Sequence, residues 1–186
     1  MLSDALAAAK QIQDESERAK ALSALADKLP PELLSDALAA AKQIQDESNR
    51  ANALSALADK LPELLSDALA TAKQIQHEYY RAKALSALAN KLPPELLSDA
   101  LAAAKQIQDE YNRANALSAL AIPLSTMPTD LLFSCWKQTL DESSLRTRQN
   151  LLTDIEKLVP VIFALGSDAA IASVNCAIQK VAQWWH

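Results

Sequence analysis

Paired carboxylates recur in this sequence and are its first candidates for chemistry. Asp14-Glu15, Asp46-Glu47 and Asp109-Glu110 each stand shortly before an arginine, and two neighbouring carboxylates are able to serve as general acid and general base. An active site needs a single constellation of groups, whereas these pairs form a regular series. We therefore predict a structural role, in which each Asp caps a helix and each Glu pairs with the arginine three residues later.

The arginines that follow the pairs are also predicted to be structural. They fall at the edge of an apolar stripe, so the aliphatic stem is expected to pack and the guanidinium to bond a carboxylate or a carbonyl. We expect each of them to bridge adjacent structural units. They are Arg18, Arg50, Arg81 and Arg113.

Histidine and cysteine offer neither a metal site nor a nucleophile in this sequence. His77 stands where the other copies of the motif have a capping Asp, and His186 is the terminal residue. Neither has a Cys or carboxylate at ligand spacing, so we predict no metal, no cofactor and no enzymatic activity. Cys135 and Cys176 have no disulfide-like spacing, which favours a reducing, cytoplasmic location. A Cys–His pair formed only on folding is the alternative.

These residues belong to a unit of about 32 residues that occurs four times in tandem. Its pattern is L-S-D-A-L-A-A-A-K-Q-I-Q-D-E-x-x-R-A-x-A-L-S-A-L-A-x-K-L-P. Two apolar stripes predict two helices in each copy, in copy two over about 31–45 and then from Asp46 to Leu61-Pro62. Such a unit cannot bury its apolar face alone, so neighbouring copies must stack. Copies one to four are marked by Ser3, Ser35, Ser66 and Ser98.

The predicted fold class is all-α, a right-handed α-solenoid of antiparallel helical hairpins with a helical C-terminal cap. Residues 1–123 are assigned to four hairpin repeats, and residues 124–186 to a divergent fifth hairpin and the cap of one continuous solenoid. Copy one lacks the Pro-Pro-Glu-Leu lead of copies two and four, and no polar cap precedes it. We expect either a longer array of which this chain is a part, or end-to-end stacking with another molecule.

The segment after copy four is predicted to hold a hairpin over 129–159, a short helix and a last helix. Thr129 or Asp130 is expected to cap the first helix, and Ser143 or Ser144 to start the second. Gly166, the single glycine of the chain, is predicted to end the short helix in a left-handed conformation. The last helix is predicted to bury the stripe Ile171, Val174, Ile178, Val181 and Trp185.

Charge and hydropathy narrow the range of partners. The net charge of -5 disfavours a nucleic-acid backbone or an anionic membrane as partner. A helical repeat that reads RNA is disfavoured for the same reason, and because the first helix of the unit barely varies. We expect no membrane partner, since no run of about 20 consecutive apolar residues is present, and no signal peptide, since the sequence begins directly in the repeat.

Differences between the copies concentrate on one side of the second helix, and all three tyrosines lie there. Because tyrosine is enriched at interaction hot spots, we predict that this side binds a protein or peptide. The alternative is drift on a solvated surface, with the tyrosines packing over the next helix. We call the predicted residues the tyrosine face: Tyr79, Tyr80, Tyr111, Asn112, Lys83 and Asn115. A second candidate surface is the series Lys10, Lys42, Lys73 and Lys105.

The repeated hairpin pattern resembles that of tetratricopeptide and HEAT-like α-solenoids, although the Trp, Gly and Tyr signature of tetratricopeptides is missing. The stretch 37–62 is similar to Ala- and Leu-rich repeats at the C-terminal ends of bacterial STAND (NACHT or NB-ARC) signalling ATPases, and 165–185 is similar to their terminal segment. The resemblance implies a sensor or scaffold region. The ATPase itself is not present, because a phosphate-binding G-x-x-x-x-G-K-[ST] loop needs two glycines.

The predicted function is therefore a non-enzymatic protein–protein interaction scaffold, the ligand-sensing repeat region of a larger signalling protein. The alternative is a structural array that associates with itself through its uncapped N-terminal copy.

Overall fold

The computed structural model describes residues 1–57 and 65–182, and this part of the chain is all-α, as predicted. It contains eleven helices and no strand. The helices are α1 (Leu2–Gln11), α2 (Glu15–Ala26), α3 (Pro31–Lys42), α4 (Glu47–Leu57), α5 (Leu65–Lys73), α6 (Glu78–Ala89), α7 (Pro94–Lys105), α8 (Glu110–Ser125), α9 (Thr129–Ser143), α10 (Arg148–Lys157) and α11 (Val159–Ala182).

Proline and aspartate determine where the helices of the repeats begin. α3 and α7 begin at Pro31 and Pro94, where the N–H that proline lacks would have had no partner in the helix. α2 and α8 follow Asp14 and Asp109, whose carboxylates each accept a bond from the backbone N–H three residues later. Asp46 makes the same bond at 2.8 Å. The predicted aspartate caps are thus confirmed.

The helices of the repeats end earlier than the sequence predicts. The first helix of copy two ends at Lys42 rather than near residue 45, because residues 43–46 form the turn that leads into the next cap. α2 and α6 end at Ala26 and Ala89, several residues before the next proline. The stop predicted at Leu61-Pro62 lies outside the described residues.

The even-numbered helices pack against one another as well as against their neighbours in sequence. α2 lies against α4, α4 against α6, and α6 against α8, while the odd-numbered helices lie beside this layer. Leucines and alanines of both sets form one continuous core, in which Leu54, Leu57, Leu85 and Leu88 are completely buried. Burial of one such leucine contributes about 1.5–3 kcal/mol, so the interior of the repeats is held mainly by apolar packing.

The pattern changes after copy four. α8 continues through Pro123 to Ser125, so the boundary predicted between residues 1–123 and 124–186 falls inside a helix. Both α10 and α11 pack against α8, and α9 packs against α11. The longer α8 thereby offers one continuous surface to the whole C-terminal segment.

The helix starts predicted in this segment are wrong. α9 begins after Pro128, which makes no side-chain capping bond. α10 is capped instead by Thr147, whose hydroxyl accepts a bond from the N–H of Asn150 at 3.3 Å. Several polar residues in a row offer more than one possible cap, and the local sequence alone does not choose among them. The predicted caps were Thr129 or Asp130 for α9, and Ser143 or Ser144 for α10.

A kink divides α11, and the predicted role of its glycine is wrong. Gly166 has an extended φ of −170°, and the left-handed residue is Ser167, with φ 55°. A Cβ at Gly166 would come within 3.0 Å of the Cβ of Ala170, so the glycine provides room at the kink. The stripe predicted to be buried is only half-buried at Ile171, Val174 and Ile178, and Val181 and Trp185 lie outside the described side chains.

By length and composition alone, the stretch Val159–Lys180 of α11 is sufficient to cross a membrane. Core helices of water-soluble proteins meet the same criterion, although this stretch is mostly exposed. Its first half packs on α8 and α9 at Val161 and Ile162, which are buried. The expectation of no membrane partner stays a prediction.

Candidate interaction surface

In copies one to three, the glutamate that begins the second helix joins its own copy of the repeat to the next copy. Glu15, the first residue of α2, accepts bonds from the backbone N–H groups of Gln45 and Asp46 at 2.9 and 2.7 Å. We call the glutamates that do this the carboxylate ladder. Glu47 bonds Gln76 and His77 at 2.7 and 2.6 Å, and Glu78 bonds Gln108 and Asp109 at 2.7 and 2.8 Å.

The carboxylate ladder is held in its ionised form. The backbone N–H groups of Gln45 and Asp46 lower the pKa of Glu15. At Glu47 and Glu78, partial burial works to raise the pKa, but two backbone N–H groups and the following arginine outweigh it and lower the pKa. A carboxylate stabilised in this way is a hydrogen-bond acceptor and a poor proton donor at neutral pH. The geometry thus agrees with a structural role for the pairs.

The arginines complete the joints from within their own copy. Nη1 of Arg18 donates to the carbonyl of Ile12 at 2.9 Å, and Nη2 donates to Glu15 Oε1 at 3.1 Å. Arg50 and Arg81 bond their own copies in the same manner. Bonding to a carbonyl and a carboxylate is confirmed, and the hydrogen bonds of these three arginines stay within their own copies. Across the joint, the charge of Arg50 helps to lower the pKa of Glu15 in copy one. The glutamate reaches the next copy, and the arginine orients it.

Arg113 differs from the other arginines and joins copy four to the C-terminal segment. It is completely buried, and its Nε donates to both carboxylate oxygens of Asp154 at 2.9 and 3.0 Å. Nη1 donates to the carbonyls of Ile107 and Gln108 at 3.1 and 3.0 Å, while Nη2 has no partner among the described residues. Burial raises the pKa of Asp154, against the opposing effect of Arg113. A buried ion pair therefore lies at this joint, beside a hydrogen bond from the Thr153 hydroxyl to Glu110 at 2.8 Å. Nε of Arg146 also lies 3.9 Å from Asp154 Oδ2.

The lysines of the second candidate surface form ion pairs between successive odd-numbered helices. Exposed pairs of this kind contribute about 0–1 kcal/mol each. Lys105 differs from the rest because it is buried. The pairs are Lys10–Asp36 at 3.2 Å, Lys42–Asp67 at 2.9 Å, Lys73–Asp99 at 3.5 Å and Lys105–Glu142 at 2.9 Å.

The tyrosine face is partly exposed and partly packed. Tyr79 and Tyr111, at equivalent positions of the neighbouring helices α6 and α8, are 49% and 72% exposed. Tyr80 is half-buried against the core, and its ring centroid lies 5.2 Å from that of Tyr79 and 4.9 Å from that of His77. His77 occupies the predicted cap position but makes no side-chain capping bond, and its ring joins this aromatic cluster instead.

The polar members of the tyrosine face are distributed over both helices. Nζ of Lys83 donates to the side-chain oxygen of Asn52 in copy two at 2.6 Å. Asn112 is half-buried at the start of α8, and Asn115 is exposed one turn later. The structure therefore places Tyr80 in contact with both Tyr79 and His77, and it leaves Tyr79 and Tyr111 open to solvent. Binding by this side stays a prediction.

An apolar groove between α9, α10 and the second half of α11 was not predicted. It has a volume of about 350 Å³ and is lined by side chains such as Trp136, Leu151, Ile155, Val174 and Ile178. The apolar stripes of α10 and α11 are the sequence feature that could have indicated an apolar surface here. The space between the two helices is visible only in the structure.

Residues 1–57 and 65–182 contain no group of three His, Cys, Asp or Glu side chains placed to hold a metal ion. Cys135 and Cys176 are unpaired, and burial raises the pKa of the Cys135 thiol. Comparisons with protein-family models, curated proteins and solved structures found no match to this chain. The four copies of the repeat therefore serve as the comparison for one another.

Proposed function

We propose that the chain is a non-enzymatic protein–protein interaction scaffold, built as a right-handed α-solenoid of antiparallel helical hairpins. This proposal is supported by the packing of each even-numbered helix on the next and by the recurrence of the same glutamate bonds at successive joints. Stacked repeats of this kind present a long, regular surface to a partner.

The engagement of the candidate acid–base groups supports a non-enzymatic role. Glu15, Glu47 and Glu78 bond backbone N–H groups of the next copy, and Asp14, Asp46 and Asp109 cap helices. These bonds use the carboxylate oxygens that general acid–base chemistry would require.

The exposure of Tyr79 and Tyr111 is the observation that carries the proposed binding site. Copies one and two have Ser16 and Ser48 at the same position and form the same joints, so repeat packing does not require an aromatic ring there. Exposed tyrosines offer a large, rigid contact area at a small cost in side-chain entropy. The partner proposed for this side is a protein or peptide.

The cellular role and location of this scaffold are proposed from the resemblance of its repeat to known repeats and from its cysteines. Similarity to the C-terminal repeats of STAND ATPases favours the ligand-sensing region of a larger signalling protein. The unpaired cysteines favour a cytoplasmic location.

Site-specific photo-crosslinking tests the proposed surface. A crosslinking residue in place of Tyr79 is expected to give a discrete adduct with another protein in a native lysate, and Tyr111→Ser is expected to reduce its yield. The same crosslinker in place of Ser16 is the matched control, because it occupies the equivalent helix position in copy one. Adducts only between copies of this chain, or equal adducts from both positions, would contradict the proposal.

Self-association through copy one is the second candidate function, favoured by the incomplete burial of its apolar residues Ile12 and Leu25. It predicts a mass that rises with protein concentration in sedimentation measurements. A constant monomer mass over the whole concentration range would rule it out.

A further inference from the structure

Copy one exposes the apolar surface that the later copies bury. At five equivalent positions, the side chain is at most 6% exposed in copies two to four and is half-buried or exposed in copy one. The residue types are the same except for Thr71, so the difference arises because a preceding copy covers them. We call these five residues of copy one the N-terminal face. They are Ala5, Ala8, Ile12, Ala21 and Leu25.

Two backbone donors lie beside the N-terminal face, at the position where the carboxylate ladder arrives in later copies. They are the N–H groups of Gln13 and Asp14, which correspond to Gln45 and Asp46. The backbone of Asp14 has φ −68° and ψ 119°. These angles are close to those of Asp109, φ −61° and ψ 121°, whose N–H donates a hydrogen bond to Glu78. Among residues 1–57 and 65–182, these two N–H groups of copy one have no hydrogen-bond acceptor. The turn is therefore already shaped to receive a carboxylate.

Asp4 adds a charge at the matching position. Its equivalents Asp36, Asp67 and Asp99 each pair with a lysine of the preceding copy. The Asp4 side chain is 84% exposed, so its carboxylate is accessible to a lysine of a neighbouring hairpin. The N-terminal face thus combines an apolar patch, two donors and one acidic group in the arrangement of an internal joint.

We infer that the N-terminal face binds a helical hairpin of the same repeat type. The hairpin presents a glutamate carboxylate to the N–H groups of Gln13 and Asp14, and a lysine to Asp4. The joints within this chain define that chemistry, since each pairs such a face with such a hairpin. The inference goes beyond the second candidate function, because the partner that it names is a repeat hairpin and not the C-terminal end of another copy of this chain. It is independent of the tyrosine face.

The C-terminal end of a second copy of this chain does not meet these requirements. The ladder glutamate is always the first residue of an even-numbered helix, directly after the N-cap. In α10 that position follows Thr147 and is occupied by Arg148, which is exposed. An arginine would bring a positive charge to two N–H donors. The proposed occupant is therefore a repeat hairpin that carries the Glu and the Lys, and head-to-tail stacking of whole chains is disfavoured.

Amide exchange in an extended chain tests the inference. One additional copy, with the sequence of residues 31–62, is placed directly before Leu2 in the full chain. Exchange of the Gln13 and Asp14 N–H groups is then measured by NMR. We expect it to slow at least about tenfold, toward the rates of Gln45 and Asp46, because protection of about 1.4 kcal/mol corresponds to a factor of ten.

A Glu→Gln change at the ladder position of the added copy is the matched control, since it keeps the apolar contact and removes the charge. It is expected to abolish most of the added protection at Gln13 and Asp14. Unchanged exchange of these two amides in the extended chain would overturn the inference. Equal protection with Glu and Gln would overturn the carboxylate recognition. The crosslinking result at Tyr79 is unaffected by either outcome, so this inference and the scaffold proposal fail separately.

Discussion

The joints between copies and the joint to the C-terminal segment connect similar helices by different chemistry. Between copies, a partly exposed glutamate bonds two backbone N–H groups. After copy four, Glu110 bonds the hydroxyl of Thr153 at 2.8 Å and a buried Arg113 bonds Asp154. Backbone N–H groups are the same in every copy, so repeated joints tolerate changes in side chain. A joint made between side chains is specific to the residues of one neighbour.

Loss of the buried ion pair should lower the free energy of unfolding more than any other change considered. It therefore gives the clearest test of the difference between the two kinds of joint. Asp154→Ala leaves Arg113 charged and buried without its carboxylate, and such changes cost about 3–5 kcal/mol. The free energy of unfolding from urea titration measures this cost. Asp141→Ala, an exposed aspartate of α9, should change it by less than about 0.5 kcal/mol.

Replacement of both Arg113 and Asp154 distinguishes two causes of the destabilisation. One is the loss of their mutual attraction, and the other is a buried charge left without a partner. Arg113→Met combined with Asp154→Leu removes both charges of this pair, and comparable replacements of buried ion pairs have been neutral or stabilising. We expect the double variant to recover most of the stability lost by Asp154→Ala. A double variant as unstable as the single one would show that the joint depends on the specific hydrogen bonds of Arg113.

Matched leucines compare an interior copy with the first copy. Leu88 is completely buried, and its equivalent Leu25 is only half-buried. Leu88→Ala should cost about 2–5 kcal/mol because it leaves a cavity in a closed core. Leu25→Ala should cost at least about 1 kcal/mol less, since water reaches its site. Equal losses in thermal or urea unfolding would mean that the N-terminal face is covered in solution.

Regular periodicity made the repeated part of the fold predictable. The apolar stripes, the prolines and the aspartates each specify a local feature, and the helices and caps of copies one, two and four follow from them. The bridging role of Glu15, Glu47 and Glu78 was not predictable in this way. Its bonds end on backbone groups of another copy, which carry no side-chain signal in the sequence.

The C-terminal segment was less predictable because it has no second copy for comparison. The pairing of Arg113 with Asp154 spans 41 residues, and no pattern connects the two positions. The left-handed residue at the kink is Ser167 rather than Gly166, although glycine adopts a positive φ most readily. Exposure of Tyr79 and Tyr111 agreed with their position opposite the leucine stripe, while packing of Tyr80 needed the structure.

Low pH should weaken the joints between copies of the repeat. The expected change in the free energy of unfolding is the smallest of those predicted. The pKa of Glu78 is lowered from its ordinary 4.5 in the folded chain. Its stabilising effect is therefore complete above about pH 4.5 and is lost as pH falls through the lowered folded value. Glu78→Gln should cost about 1 kcal/mol at pH 7 and progressively less below pH 4.5.

The control for the pH dependence of the Glu78→Gln variant is Glu156→Gln. Glu156 is an exposed residue of α10. Asp154 acts in the opposite sense, because its raised pKa makes stability decline as pH rises above the ordinary aspartate value. The difference between the chain and its Glu78→Gln variant cancels this contribution. A difference that does not depend on pH would show that the carboxylate charge is unimportant in the joint.

The glutamate bonds also bear on how fast the chain assembles. They connect residues 29 to 31 positions apart at one joint after another, so each joint closes a loop of nearly the same length and carries nearly the same entropic cost. Ordering is expected to start in any adjacent pair of copies and to spread outward. Rapid refolding, with a rate little changed when one interior copy is removed, would be its kinetic signature.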